Sequence, residues 1–311
     1  MHPDNAFYGH NRVLADYAGM SPDAPPIRGH VQHGWTPGTG LSEPARLVSW
    51  LPKLVWSASN RKVAEERGIR PLEAIGAPFC YLDAASTYPA AGVAAPRATI
   101  YYPFHGWERE AVHGSHHDLA AAIREREAGP VTVCLYWQEF DQLAVRRLYV
   151  EAGFRVICHG YRNDALFLAR QRDELLRHDR VASNRVGTAL WYGGYLGRSI
   201  EVYGPPMSVQ SAAEARAFDS FSRARWPQLH DGGVAGATAR DLAAEELGAA
   251  FVMPPDELRR VLGWDSSRRR AARAAGAAAA ATAAVRAEHH ARRVAHHVRA
   301  RLPRSVRLPR R

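Results

Sequence analysis

The chain has almost no lysine. Lys53 and Lys62 stand alone among 311 residues rich in arginine and alanine. That is the mark of GC-rich coding, so the choice of Arg over Lys carries no functional signal. Cysteine is equally scarce. Cys80, Cys134 and Cys158 make an odd count, none has a CxxC neighbour, and each lies in an apolar, strand-like run. A disulfide framework and a zinc knuckle are therefore disfavoured, and the three read as small buried hydrophobes. No uncharged apolar run is long enough to cross a bilayer. Met1-His2-Pro3-Asp4 lacks the basic start and apolar stretch of a signal peptide. The expected location is the cytoplasm. GxxxxGK[ST] and GxGxxG are both missing, which removes a P-loop and disfavours a dinucleotide-binding Rossmann site.

What is present is unevenly spread. The net charge is +10, yet Ser266–Arg311 alone holds 13 Arg against one acid, Glu288, for +12, and the residues before it sum to −2. The body is nearly neutral and the tail is basic. Ala277–Arg301 has high helix propensity but few large apolar side chains, so the tail is expected to be dispensable for folding and a fluctuating helix at most. Such a tail attracts anionic membrane, and nucleic acid without sequence preference.

From Ala98 to Pro206 strands and helices alternate. Apolar runs at Thr99–Phe104, Val131–Tyr136, Phe154–Cys158, Arg180–Ser183 and Ser199–Tyr203 read as strands. Ser115 with Asp118 caps a helix ending near Gly129. Val145, Leu148, Tyr149 and Ala152 have the spacing of a buried helical face closed by Gly153, Asn163 caps a helix through Leu176, and Thr188–Leu196 is a short helix closed by Gly197. Fully apolar strands separated by helices predict a parallel sheet covered on both faces. Earlier in the chain, Arg28–Gln32, Leu54–Ser57 and Pro78–Leu82 read as strands and Asn60–Arg67 as a helix, with a Pro/Gly/Ala linker at Ala84–Pro96. Ala212–Trp226, Thr238–Leu247 and Pro255–Leu262 read as helices. The fold class is α/β: a reduced amino-terminal α/β domain over residues 1–96, a Rossmann-like parallel-sheet domain over 97–265, and a basic tail over 266–311.

The same dipeptide closes three of these runs. Val31-Gln32 leads to His33-Gly34-Trp35, Phe104 to His105-Gly106-Trp107, and Ile157-Cys158 to His159-Gly160-Tyr161. Gly permits the sharp turn at a strand end, and the His before it would sit at the carboxyl edge of a sheet, where open α/β sheets bind ligands. Three unrelated turns would look alike. Val181-Ala182-Ser183-Asn184-Arg185-Val186-Gly187-Thr188 is the sharpest local signal. A strand ends in small polar residues and Gly187 opens a helix, whose start can hold a phosphate with Ser183, Asn184, Arg185 and Thr188 as further donors. An ordinary capped helix reads the same way. His113, His116 and His117, His289-His290 and His296-His297 have spacings open to metal, but no acid or Cys completes a site, and solvated helix positions explain them. Glu125-Arg126-Glu127 reads as a solvated face. Glu139 and Asp141 follow a strand end and either face a cleft or sit at a helix N-terminus.

The order strand, Ser183-Asn184-x-x-Gly187-Thr188-Ala189, a helix with Leu196-Gly197, then Ser199-Ile200-Glu201-Val202-Tyr203-Gly204-Pro205-Pro206 resembles the last part of the nucleotide-sugar domain of GT-B enzymes, among them bacterial capsule and surface-polysaccharide glycosyltransferases and the related UDP-sugar 2-epimerases. Tyr101-Tyr102-Pro103-Phe104-His105 resembles the opening strand of that domain. Ile75-Gly76-Ala77-Pro78 and the His33-Gly34-Trp35 loop resemble acceptor-side elements. The similarity spans roughly Arg28–Trp264. It departs from the family in its amino-terminal half, because 95 residues are fewer than the usual sheet needs.

The resemblance implies a metal-independent glycosyltransferase without cofactor, taking a nucleotide-sugar donor and a glycan or lipid-linked acceptor; the charge of the tail would hold such an enzyme at the inner face of a membrane. His33 would be the catalytic base. His105, Gly106, His159, Gly160, Arg162, Ser183, Asn184, Arg185, Gly187 and Thr188 would bind substrate, with Arg185 and Arg162 neutralising the leaving phosphates. A sugar-nucleotide epimerase shares the domain type. A non-catalytic protein binding anionic polymer or membrane is the alternative from another class.

Overall fold

A computed structural model of the chain describes residues 3–20, 25–39, 41, 50–84, 98–106, 110, 112–264, 280, 282 and 283. Two parallel sheets form the frame. The first has the order β1 (His30–Val31), β2 (Lys53–Val55), β3 (Leu72–Ala74). The second takes β4 (Thr99–Tyr102), β5 (Val131–Cys134), β6 (Arg155–Ile157), β7 (Arg180–Ser183) and β8 (Ser199–Val202) in the order β6-β5-β4-β7-β8. All five strands of the second sheet fall inside the runs expected from the sequence. All four residues of β5 are buried, as a strand covered on both faces requires. Because the chain runs outward from β4 in both directions, the strand order reverses between β4 and β7, and the carboxyl ends of these two strands flank a crevice.

The helices are α1 (His10–Tyr17), α2 (Ala58–Glu66), α3 (Pro78–Ala84), α4 (His116–Arg126), α5 (Trp137–Asp141), α6 (Leu143–Glu151), α7 (Phe167–Leu176), α8 (Thr188–Tyr195), α9 (Ala212–Arg225), α10 (Pro227–His230), α11 (Gly236–Leu247) and α12 (Pro255–Val261). Ser115 caps α4 by accepting the Asp118 N–H at 3.0 Å. Gly193 lets α8 lie directly on the sheet. A Cβ there would come within 2.4 Å of Val181 Cγ2, so the helix and its N-terminus sit close to the end of β7.

Two expectations are corrected. Pro78–Leu82 is not a strand but the first part of α3. Phe79, Cys80, Tyr81 and Leu82 are all buried, and a short helix apolar all round carries the same pattern as a buried strand. The proline stands at the first helical position, where its missing N–H costs nothing. Cys80 is accordingly helical, and the third strand of the first sheet is Leu72–Ala74. Asn163 does not cap α7, which starts at Phe167. Asp164 organises that turn instead, its Oδ1 accepting the Leu166 N–H at 2.9 Å.

The largest buried apolar cluster draws on both sheets, with Val31, Leu54, Trp56 and Ile75 from around the first and Ile100, Val181, Leu190 and Trp191 from around the second. The end of α11 and the residues after α12 return to the amino-terminal part. Leu247 O accepts the Ala77 N–H at 2.8 Å, Leu262 O accepts the Arg28 N–H at 2.9 Å, and Trp264 Nε1 donates to Pro25 O at 2.7 Å. Of the linker expected over Ala84–Pro96, Ala84 ends α3, and the rest of it lies outside the described residues, as does nearly all of the basic tail. Among the described residues no helix is long and apolar enough to cross a membrane.

Candidate functional site

A cleft of about 620 Å³ opens along the carboxyl ends of β4, β5, β6 and β7, facing the loop that follows β1. His33, His105 and His159 all line it. The three strand-end histidines, far apart in sequence, thus converge on one cavity. Ser183, Arg185, Gly187 and Thr188 line it too. Trp107 lies outside the described residues.

The loop after β1 is fastened to the second sheet. The Trp35 N–H donates to Thr188 Oγ1 at 2.9 Å, and the Trp35 indole N–H donates to Glu246 Oε2 of α11 at 2.9 Å. Trp35, Trp191 and Trp226 form a closed triangle, each pair of ring centroids 5.5 Å apart at 62–63°. Such edge-to-face contacts are favourable for rings with opposite charge at face and edge. A Cβ on Gly34 would sit 3.5 Å from Thr188 Oγ1. His33 is therefore held beside the N-terminus of α8. Gly187 caps that helix without a side-chain hydrogen bond, and the first N–H groups of a helix have no partner within it.

The other predicted residues fall into two groups. His105 and His159 line the cavity from the second sheet. The His105 ring stacks on Tyr136 at 4.1 Å, and its Nδ1–H donates to Gly106 O at 2.9 Å. His159 Nε2 lies 3.0 Å from the Tyr102 hydroxyl. Burial pulls its pKa down from 6.5 to about 4, leaving it neutral at pH 7. Gly106, Gly160, Arg162 and Asn184 are not at the cavity wall. The Gly106 N–H is taken by Glu139 Oε1 at 2.7 Å, which puts Glu139 at the start of α5, behind the His105 turn. Gly160 has φ 101° and packs under the Arg170 guanidinium. Arg162 lies over the Phe7 ring, 4.6 Å from its centre. Asn184 is committed at both ends, accepting the Phe104 N–H at 2.8 Å and donating to Pro205 O at 2.9 Å. It fixes the ends of β4 and β7 against each other.

Arg185 lines the cavity but is already paired. Its Nη2 meets Glu214 Oε1 at 2.9 Å, and its Nη1 meets Glu214 Oε2 at 3.3 Å and Met207 O at 3.0 Å. Glu214 lines the cavity with it, and the Arg185 hydrogen bond holds its carboxyl below the usual range.

The sequence did not point to the segment before α1. Tyr8 lines the cavity and is the one non-glycine residue with positive φ, 58°, among the described residues. Its N–H donates to Arg162 O, its ring lies 4.9 Å from Phe167, and burial raises the pKa of its hydroxyl well above the ordinary tyrosine value. A bulky residue in this conformation is costly unless its surroundings hold it. A Tyr next to Gly9 was the available signal. Behind it, His10 is fully buried, and burial together with the neighbouring His33 lowers its pKa to about 3.

Among the described residues the histidines with metal-like spacing do not gather, and His289, His290, His296 and His297 lie outside them. His116 Nδ1 lies 2.9 Å from the Tyr149 hydroxyl, and His113 pairs with Ser208 through backbone bonds. No group of three or more His, Cys, Asp or Glu among the described residues is placed to hold a metal. Comparison with protein-family models, curated proteins and solved structures finds no match for the chain.

Proposed function

We propose that the chain is a GT-B-like glycosyltransferase that takes a sugar from a nucleotide-activated donor to a glycan or lipid-linked acceptor. One observation supports this reading above the others. The loop bearing His33 is tied onto the N-terminus of α8 at the crevice between β4 and β7. A diphosphate suits that helix start, where backbone N–H groups and the helix dipole favour negative charge. Thr188 and Ser183 add hydroxyl donors at the same wall. A histidine next to the leaving diphosphate suits removal of the proton from an acceptor hydroxyl as that hydroxyl attacks the anomeric carbon. The stacked His105 and Tyr136 rings and the Tyr102–His159 pair line the same cavity with aromatic surface, fit for the uncharged parts of a substrate.

In this reading Arg185, Ser183, Gly187, Thr188, His105 and His159 touch substrate, while Asn184, Gly106, Gly160 and Arg162 shape the turns behind them. The +12 tail holds the protein beside an anionic membrane surface. The test is incubation of the full chain with UDP-, GDP- and CMP-sugars, with and without a lipid-linked or glycan acceptor. Release of free nucleoside phosphate that rises with acceptor supports transfer. A donor isomerised with no nucleotide released supports the epimerase. No turnover and no nucleotide binding, with anionic polymer retained, leaves the binding protein.

A further inference from the structure

Arg185 is a fixed receptor that the chain itself fills. Its guanidinium carbon lies 3.7 Å from the centre of the Phe218 ring and 4.7 Å from that of Phe104, while Nη1 is tied to Met207 O. A planar cation caged between aromatic rings and anchored to a carbonyl has little room to swing, and its fork matches the oxygens of a carboxylate or phosphate. Glu214 occupies that fork at 2.9 and 3.3 Å, within the wall of the cleft.

Glu214 is held in a favourable setting apart from Arg185. It stands in the first turn of α9, where Ser211 Oγ accepts its N–H at 3.1 Å. Ser-x-x-Glu is a capping-box spacing, in which the Glu side chain normally turns back to the N–H of the capping residue. Here that N–H goes to Ser208 Oγ at 3.0 Å, and the carboxylate is turned to Arg185. Glu214 is also the more exposed partner, its side chain 28% accessible against 16% for Arg185.

We propose that Glu214 is an internal stand-in for the substrate's phosphate at Arg185 and a specificity-determining residue of the cleft: an incoming diphosphate must displace it, and weaker anions do not. The proposal rests on the nucleotide-binding reading of the same site. A tethered carboxylate competes at an effective concentration of about millimolar or above. A monoanion offers the fork no more than Glu214 already does. A diphosphate carries more charge and reaches the N–H groups of α8 as well. Once displaced, Glu214 still stands in the first turn of α9, where a carboxylate is favoured by the helix dipole.

The experiment is calorimetry on the full chain with inorganic pyrophosphate and with UDP, comparing the parent, Glu214→Gln, Glu214→Asp, Arg185→Ala and the double variant Arg185→Ala/Glu214→Gln. Urea midpoints show that each is folded. Glu214→Gln is expected to bind pyrophosphate about tenfold more tightly than the parent, and Glu214→Asp, with its carboxylate drawn back, to gain less. The gain should vanish in the Arg185→Ala background. Unchanged or weaker binding by Glu214→Gln overturns the proposal, because Glu214 is then a brace or a ligand contact. A gain that survives in the double variant overturns it too, since it would reflect net charge alone. So does a complete lack of pyrophosphate binding. If the pyrophosphate gain is seen but UDP binds no tighter than pyrophosphate, the stand-in holds and the nucleotide reading fails. If UDP binds tightly and Glu214→Gln changes nothing, the reverse is true.

Discussion

Replacing Trp35 by Phe tests how the amino-terminal loop is fastened over the cleft. The substitution keeps an aromatic ring within the Trp35–Trp191–Trp226 triangle but removes the indole N–H that reaches Glu246 at 2.9 Å. Glu246 is buried, and its remaining partner is Arg225 at 3.3 Å. Loss of a hydrogen bond to a charged group costs about 1.5–3 kcal/mol. The smaller ring gives up roughly 40 Å² of burial, worth about 1 kcal/mol at about 25 cal/mol per Å². The expected destabilisation is therefore about 2.5–4 kcal/mol, read as a lower urea midpoint with an unchanged slope. Glu246→Gln keeps an acceptor and should cost less, since neutral hydrogen bonds are about half as strong. In a double-mutant cycle the pair should couple by about 1 kcal/mol. Because the indole anchor steadies the loop that carries His33, turnover in Trp35→Phe should fall more than nucleotide affinity does. A change in stability below about 0.5 kcal/mol, or strict additivity in the cycle, would refute the reasoning, because the indole–carboxylate bond would then not be what fixes the loop.

Three further outcomes are expected. His33→Ala should lower turnover by about 10²–10⁴, the usual contribution of a general base, with nucleotide affinity little changed; normal turnover with weakened binding would make His33 a binding residue. Stability should fall below neutral pH, because burial holds His159 at about 4 and His10 at about 3 against 6.5 when exposed. The unfolded chain takes up these protons first, so stability is full above about pH 6.5 and drops as pH falls towards 4, by about 1.4 kcal/mol per unit for each histidine; urea midpoints equal at pH 7 and pH 5 would contradict it. Finally, a chain ending at Asp265 should fold normally but lose co-sedimentation with anionic vesicles and nucleic acid at low salt, as expected from the loss of +12; if both lengths sediment equally, the body carries the attraction.

The second sheet was legible because its signals are local. β4 to β8 are short apolar runs between turn residues, and the Ser115 cap, Gly153 and Gly197 act on their immediate neighbours. The His-Gly pairs marked strand ends, and parallel strands place such ends on one edge. That is why His105 and His159, after two strands of one sheet, fall on one edge, while His33 follows β1 of the other sheet and is brought to the same cleft by the packing of the two. The first sheet was less legible. Its strands are two or three residues long, too short for a period to show, and Pro78–Leu82 of α3, buried at every position, carries no periodicity to distinguish it from a strand.

Local pattern sufficed for the α/β class, the five strands of the larger sheet, and the strand ends at its carboxyl edge. It did so because hydrophobic runs, caps and glycine turns depend on residues a few positions apart. What those residues touch is set by the three-dimensional packing. It paired Arg185 with Glu214, 29 residues on, and Trp35 with Glu246, 211 residues on. It bound both ends of Asn184 to backbone and brought Tyr8 into the cleft. A polar side chain at a strand end is equally suited to a ligand or to another part of the chain. Which one it meets depends on long-range packing, where the desolvation of a charge is offset by whichever partner the fold brings within reach.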